Sequence, residues 1–297
     1  MFSSIDSLRT ILRRLGLVVV AGTVMISCGP TANKPVTTSP TSGYERAKEA
    51  FKSGQLDKAL ELTDKLAIAT PPADSTDRAR VLRAVIYAGE LKSASALTDA
   101  YTQGAKKAMN PRFQTEYRRL QNQNLEVAAR AALNLAETAH QIAPDGVIAK
   151  EVILEASYPV TEGPVEVKDL ARVEQGGWLE PDQQDGAAAD SLRKGLDDAL
   201  AEVVAGDRAK ARQALADGSL KLDGTSFALF LTKELADGAV IFDRHHARDP
   251  QKLIALCSEG EDTLKAAFAS LKETPNKDQE KEAKKLQDRF TTIRKDR

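Results

Sequence analysis

Apolar residues recur at helical spacing through most of this chain. Tyr44, Ala47, Ala50 and Phe51 fall on one face of a 3.6-residue period. After Gly54, the residues Leu56, Ala59, Leu60, Leu62 and Leu66 mark a second apolar stripe, which Pro71-Pro72 stops. A strand cannot use this spacing, because its side chains alternate with a period of two. Composition points the same way: aromatic residues make up only 5%, Ala and Leu are frequent, and alternating β-branched runs are scarce. The expectation is an all-α fold. The 297 residues suffice for one large domain or two ordinary ones, and 42% hydrophobic with 29% charged residues can build a core under a soluble surface.

Charge and cysteine content remove several function classes. Lys+Arg 42 against Asp+Glu 43 leaves a net charge of -1, without the basic excess that phosphate neutralisation needs, so a nucleic-acid partner is not expected. The two cysteines are Cys28 and Cys257. If Cys28 is modified, Cys257 has no intramolecular partner, which leaves neither a disulfide framework nor a thiolate-rich zinc site.

The first thirty residues have a different character. Met1–Arg14 carries Arg9, Arg13 and Arg14 against Asp6, and Leu15–Ile26 is uncharged and mostly apolar. Those 12 residues are too few to span a bilayer, which takes about 20. A basic region before a short apolar core is the pattern of a secretory signal. Met25-Ile26-Ser27-Cys28 then resembles the lipobox of bacterial lipoproteins: an apolar residue, a tolerated one, a small one and the cysteine. The resemblance implies cleavage before Cys28 and a lipid on its thiol, diacylglycerol with acyl chains of the palmitate kind. Gly29 stands where an Asp would retain such a protein in the inner membrane of a Gram-negative host. The family rule therefore implies the periplasmic side of the outer membrane. The alternatives are an ordinary signal with a chance cysteine, an uncleaved anchor, or twin-arginine export through Arg13-Arg14, whose flanking residues fit poorly. Gly29–Gly43 is rich in Pro, Thr and Ser and reads as a tether, reaching about 3 Å per extended residue.

The hairpin from Tyr44 resembles a tetratricopeptide repeat. Ala47, Gly54, Leu56, Ala59 and Pro71 occupy that family's offsets for small, turn, large, small and closing residues. Ala50, Thr63 and Leu66 depart from it. Gly89, Leu91 and Ala94 repeat Gly54, Leu56 and Ala59 at a shift of 35, close to the family's period of about 34. Phe113, Tyr117 and Leu120 leading to Ala132, Ala136, Ala139 and Pro144 suggest a degenerate third unit without its glycine. Gly206-Asp207 with Ala211 suggests a later helix-turn-helix. Tyr158–Asp185 breaks the pattern with Pro, Gly and polar residues, leaving room for one short helix and a short strand. The expected organisation is a signal peptide over 1–27, lipidated cysteine and linker over 28–43, a TPR-like helical lobe over 44–157, an irregular junction over 158–185 and a second helical lobe over 186–297. Helices in the second lobe are placed near Gly186–Ala205, Arg208–Asp217, Ser226–Ala247 and Pro250–Lys272, with a charged final helix over Asn276–Arg297.

Catalytic signatures are absent: no GxSxG, P-loop, GxGxxG, HExxH or CxxC occurs. Ser191-Leu192-Arg193-Lys194 matches SxxK, but the companion elements of penicillin-binding enzymes are missing, so it reads as a chance match on an exposed helix. Asp243-Arg244-His245-His246-Ala247-Arg248-Asp249 gathers ligand types, yet adjacent histidines point about 100° apart on a helix and two arginines oppose a cation. His140 and Cys257 read as packing residues. No enzyme, cofactor or metal is expected.

What remains is surface for recognition. The TPR resemblance implies a groove lined from the first helix of each hairpin, with Arg46, Lys48, Glu49, Arg80 and Arg83 as candidate contacts. Trp178 in the junction is a candidate anchor or a plug between lobes. The expected function is a lipid-anchored, non-enzymatic adaptor that binds an envelope protein or peptide. The alternative is a ligand-binding periplasmic component of a transport system, with its pocket between the helical lobes.

Overall fold

Helix α1 (Gly43–Lys52) buries Tyr44, Ala47, Ala50 and Phe51, the four residues of the first apolar stripe. Gly54 then takes φ +75°, a left-handed value that glycine reaches without strain. Gln55 N closes the turn on Ala50 O at 2.8 Å. Helix α2 (Leu56–Ala67) folds back, burying Leu56, Ala59, Thr63 and Ala67. This computed structural model describes residues 43–68, 74–158, 165–246 and 249–295. The signal peptide, Cys28, the linker up to residue 42 and Pro71-Pro72 lie outside the described residues.

Helix α3 (Asp74–Lys107) runs without a break through Gly89, where the repeat pattern placed a turn. Helix α4 (Pro111–Ile142) is likewise a single 32-residue helix. It starts where Asn110 accepts the Arg112 N–H at 2.9 Å and Pro111 takes the first turn, a position that needs no amide donor. Helices of this length extend about 50 Å, and α3 packs along α4 as a long hairpin. Good helix formers flank Gly89, so one glycine is too weak a breaker, costing about 1 kcal/mol against alanine. Its use lies elsewhere. Gly89 is where helix α6 (Pro181–Glu202) crosses α3: a methyl group on Gly195 would stand 2.2 Å from the Gly89 carbonyl oxygen. The spacing of Gly54 and Gly89 thus reflects a turn and a helix crossing, two different structural demands.

The short helix α5 (Lys168–Glu174) lies inside the irregular stretch. Helix α6 begins five residues earlier than expected, on a capping box between Glu180 and Gln183. The Gly206-Asp207 turn is present. Gly206 has φ +85°, and Asp207 caps helix α7 (Arg208–Ala216) by accepting the Lys210 N–H at 3.0 Å. Helices α8 (Gly224–His246), α9 (Pro250–Glu273) and α10 (Lys277–Lys295) fall close to their expected spans. The one sheet among the described residues is an antiparallel pair, β1 (Glu151–Leu154) with β2 (Leu220–Asp223), in the register Glu151↔Asp223 to Leu154↔Leu220. Val152, Leu154, Leu220 and Leu222 are buried, and the chain ahead of the junction is thereby tied to the chain behind it. The molecule is predominantly helical, with ten α-helices among the described residues.

The main core draws from Tyr44 through Ile293, on both sides of residues 158–185. A smaller cluster sits near the turn between α3 and α4, around Tyr101, Tyr117, Val173 and Leu179.

Candidate functional site

Two charged residues occupy core-face positions. On α8, Phe227, Leu231, Glu234, Leu235 and Gly238 follow the helical period, and Glu234 is 0% exposed. On α3, Lys92 follows Leu91 on the buried stripe. Their helices bring them together. Lys92 Nζ lies 2.7 Å from Glu234 Oε1 and 2.9 Å from Glu202 Oε2, at the end of α6. Lys233 Nζ holds the other Glu202 oxygen at 2.9 Å. Lys92 thus bridges the two carboxylates from one side while Lys233 holds Glu202 from the other.

Burial disfavours the charged form of Glu234 and raises its pKa despite the lysine; the hydrogen bond with Glu202 and that group's charge raise it further. Burial acts on Glu202 too, but hydrogen bonds from Glu234, Lys92 and Lys233 together with the Lys92 charge outweigh it and lower its pKa. Burial would pull Lys92 down, and the two carboxylates more than offset it. The two glutamates therefore titrate as a coupled unit, with Glu234 shifted up and Glu202 shifted down.

This cluster sits at the inner end of an open cleft of about 560 Å³. Leu91, Leu125, Val240 and Ile241 supply apolar floor, while α3, α6, α8 and α10 supply charged walls. Most of those charges are spent on each other. Arg208 bonds both Asp197 and Asp198, and Arg289 pairs with Asp237 at 2.6 Å. Thr98 lines the cleft, is 4% exposed, and its hydroxyl has no hydrogen-bond partner among the described residues.

None of the candidate partner-binding residues Arg46, Lys48, Glu49, Arg80, Arg83 and Trp178 lines this cleft, whereas Leu91, Gly206 and Arg244, read from the sequence as repeat, turn and ligand-type cluster residues, do. Arg46 and Glu49 are exposed on α1. Lys48 bonds Glu45 at 3.1 Å and Glu155 at 2.8 Å, and Arg78 also bonds Glu155. Arg80 pairs with Asp77 at 3.0 Å and donates to Ala67 O at 3.1 Å. Arg83 is only 5% exposed, pairs with Asp64 at 2.9 Å and donates to Gln141 Oε1 at 3.1 Å. Trp178 stacks on Phe113 with ring centroids 4.6 Å apart and leans on Tyr117, filling the space between α4 and the α5–α6 connection. Ser191 is buried rather than exposed. It donates to Ser93 O while Lys194 is held by Asp198, so the SxxK pair is not assembled. His140 lies outside the core, its side chain 69% exposed and 3.3 Å from Glu259, because α4 turns that face to solvent. Cys257 is buried. His245 and His246 end α8, and their side chains lie outside the described residues.

Among the described residues, no group of three or more His, Cys, Asp or Glu is placed to hold a metal ion, and no helix is long and apolar enough to cross a membrane. Compared with family models, characterised proteins and solved structures, the chain matches none.

A second, half-buried carboxylate lies on α3. Burial pushes Glu90 up to about 7; nearby Asp57 adds to the rise and Arg130 opposes it. A group whose folded pKa exceeds its unfolded value stabilises the fold fully below the unfolded value, near 4.5, and loses that contribution as pH rises through about 7. Glu90→Gln should therefore gain up to about 3 kcal/mol over the parent chain at pH 8 and show no gain at pH 4.5. Urea unfolding at both pH values measures this; equal effects at the two would remove Glu90 from the pH dependence.

Proposed function

We propose that this chain is a membrane-anchored, non-enzymatic adaptor of the cell envelope, held by lipid on Cys28 and recognising a protein or peptide partner through the cleft between α3 and α8. The observation that carries the reading is the cleft itself: open, walled by charges and floored by apolar side chains. An interaction surface needs this combination, with apolar area for affinity and fixed charges for register. The α1–α2 hairpin supports the TPR-like part of the proposal. Its small residues Ala47 and Ala59 are 0% exposed where the helices meet, and Gly54 holds the turn. In a Gram-negative host, Gly29 after the cysteine assigns the anchor to the outer membrane.

Two measurements test this. Cys28→Ala should move the protein from the membrane fraction to the soluble envelope fraction; continued fractionation with membranes would refute the anchor. A photocrosslinker at Ala96, on the cleft wall, should give a discrete adduct with a single envelope protein, whereas one at exposed Lys58 on α2 should not. Identical adduct patterns at both positions would refute the cleft as the recognition site.

One observation favours the ligand-binding alternative. The cleft volume lies within the range of small-molecule sites, about 300–1,000 Å³, and its walls come from chain on both sides of residues 158–185.

A further inference from the structure

The cleft's charges divide into an inner set and a rim. Lys92, Glu202, Glu234, Arg208, Asp198 and the Asp237–Arg289 pair satisfy one another. At the rim, Asp99 on α3 and Arg244 near the end of α8 are exposed, and neither has an ion pair or hydrogen bond among the described residues. The site therefore presents one unspent anion and one unspent cation around an apolar floor. A simple ion of either sign would be drawn to one of these groups and repelled by the other. A ligand carrying both charges meets both partners.

We propose that the cleft receives a short zwitterionic peptide, its cationic group held by Asp99, its anionic group by Arg244, and its apolar side chain resting on Leu125, Val240 and Ile241. One buried group supplies a polar contact for a peptide backbone. The Thr98 hydroxyl can accept from an N–H or donate to a carbonyl. A buried polar atom without a partner is unfavourable, so an occupant that satisfies it gains affinity beyond its apolar contact. A bilayer surface cannot reach into this concave site, and a duplex nucleic acid would meet the acids of the inner wall. This inference rests on the cleft being the recognition site and names what it recognises.

Isothermal titration of the full-length protein in detergent with the tripeptide Ala-Leu-Ala tests it, using four forms: both ends free, N-acetylated, C-amidated and doubly blocked. The free peptide should bind, and each block should weaken binding at least tenfold. Asp99→Asn should abolish the effect of acetylation and leave that of amidation; Arg244→Gln should do the reverse. Both residues are exposed, so neither substitution disturbs the core. Equal binding of all four forms, or no binding of any at millimolar concentration, overturns the proposal. If the tripeptides fail while the Ala96 crosslinker still captures its partner, the adaptor reading stands and only the peptide assignment falls. If both fail, the cleft is not a recognition site.

Discussion

Lys92→Met should destabilise the fold by about 3–5 kcal/mol, because it leaves the 0%-exposed carboxyl of Glu234 without its cation in a low-dielectric site. The loss should depend on pH in a definite direction. Burial already raises the Glu234 pKa, and removing Lys92 takes away the charge that opposes the rise. A carboxyl with a raised folded pKa loses stability as pH rises through that value, so the deficit should be largest at alkaline pH and shrink as the solution is acidified. The double variant Lys92→Met/Glu234→Met should recover most of the loss, since replacing both partners of a buried ion pair by apolar side chains is often neutral. Glu202 keeps Lys233 in that background and remains partly solvated. Urea unfolding of the two single variants and the double variant forms the cycle. If the double variant is as unstable as Lys92→Met, the electrostatic account fails and lost packing of the lysine stem explains the result.

Gly195→Ala should have a comparable effect by a different route. The added methyl would lie 2.2 Å from the Gly89 carbonyl oxygen and 2.9 Å from Ser93 N, and both are backbone atoms that no rotamer change can move. Helices α3 and α6 must separate, for a loss of about 3 kcal/mol or more. Gly186→Ala is the internal control. It is exposed on the same helix, with nothing within 4 Å of the added carbon, so it should gain up to about 1 kcal/mol from helix propensity alone. Thermal melts of the pair should move in opposite directions. If Gly195→Ala melts with the parent, the crossing is looser than its geometry indicates.

Helical periodicity made the elements legible. The stripe Tyr44, Ala47, Ala50 and Phe51 is the buried face of α1, and α7, α9 and α10 begin within a residue of where the pattern placed them. Glycine was ambiguous, because a small residue serves a turn and a close helix crossing equally well; Gly54 and Gly89 look alike in the sequence and differ in the fold. The strands were too short to register, since four residues give only two alternations. The cleft was hidden for another reason. Its defining residues come from α3, α6 and α8, and local pattern cannot show that Lys92 will face Glu234. A signal did exist: Glu234 interrupts an apolar stripe at a position where Leu or Ala would be ordinary. Charged residues on an inward stripe are a better pointer to such a site than the exposed charges of α1.

The ion cluster also constrains the order in which the molecule can be built. Lys92 and Glu202 are 110 residues apart in sequence, and Glu234 lies further on still. Contacts of such long range form late, because the intervening chain must first give up its freedom. Helices α3 and α4 can zip as a local hairpin early, but Lys92 then has no carboxylate partner until α6 and α8 arrive. A partly folded chain would thus expose a charged gap along its longest hairpin, an unfinished edge that disfavours a wrong apolar contact of α3. The cleft would be among the last parts of the molecule to become complete, because its wall also needs Arg289 on α10.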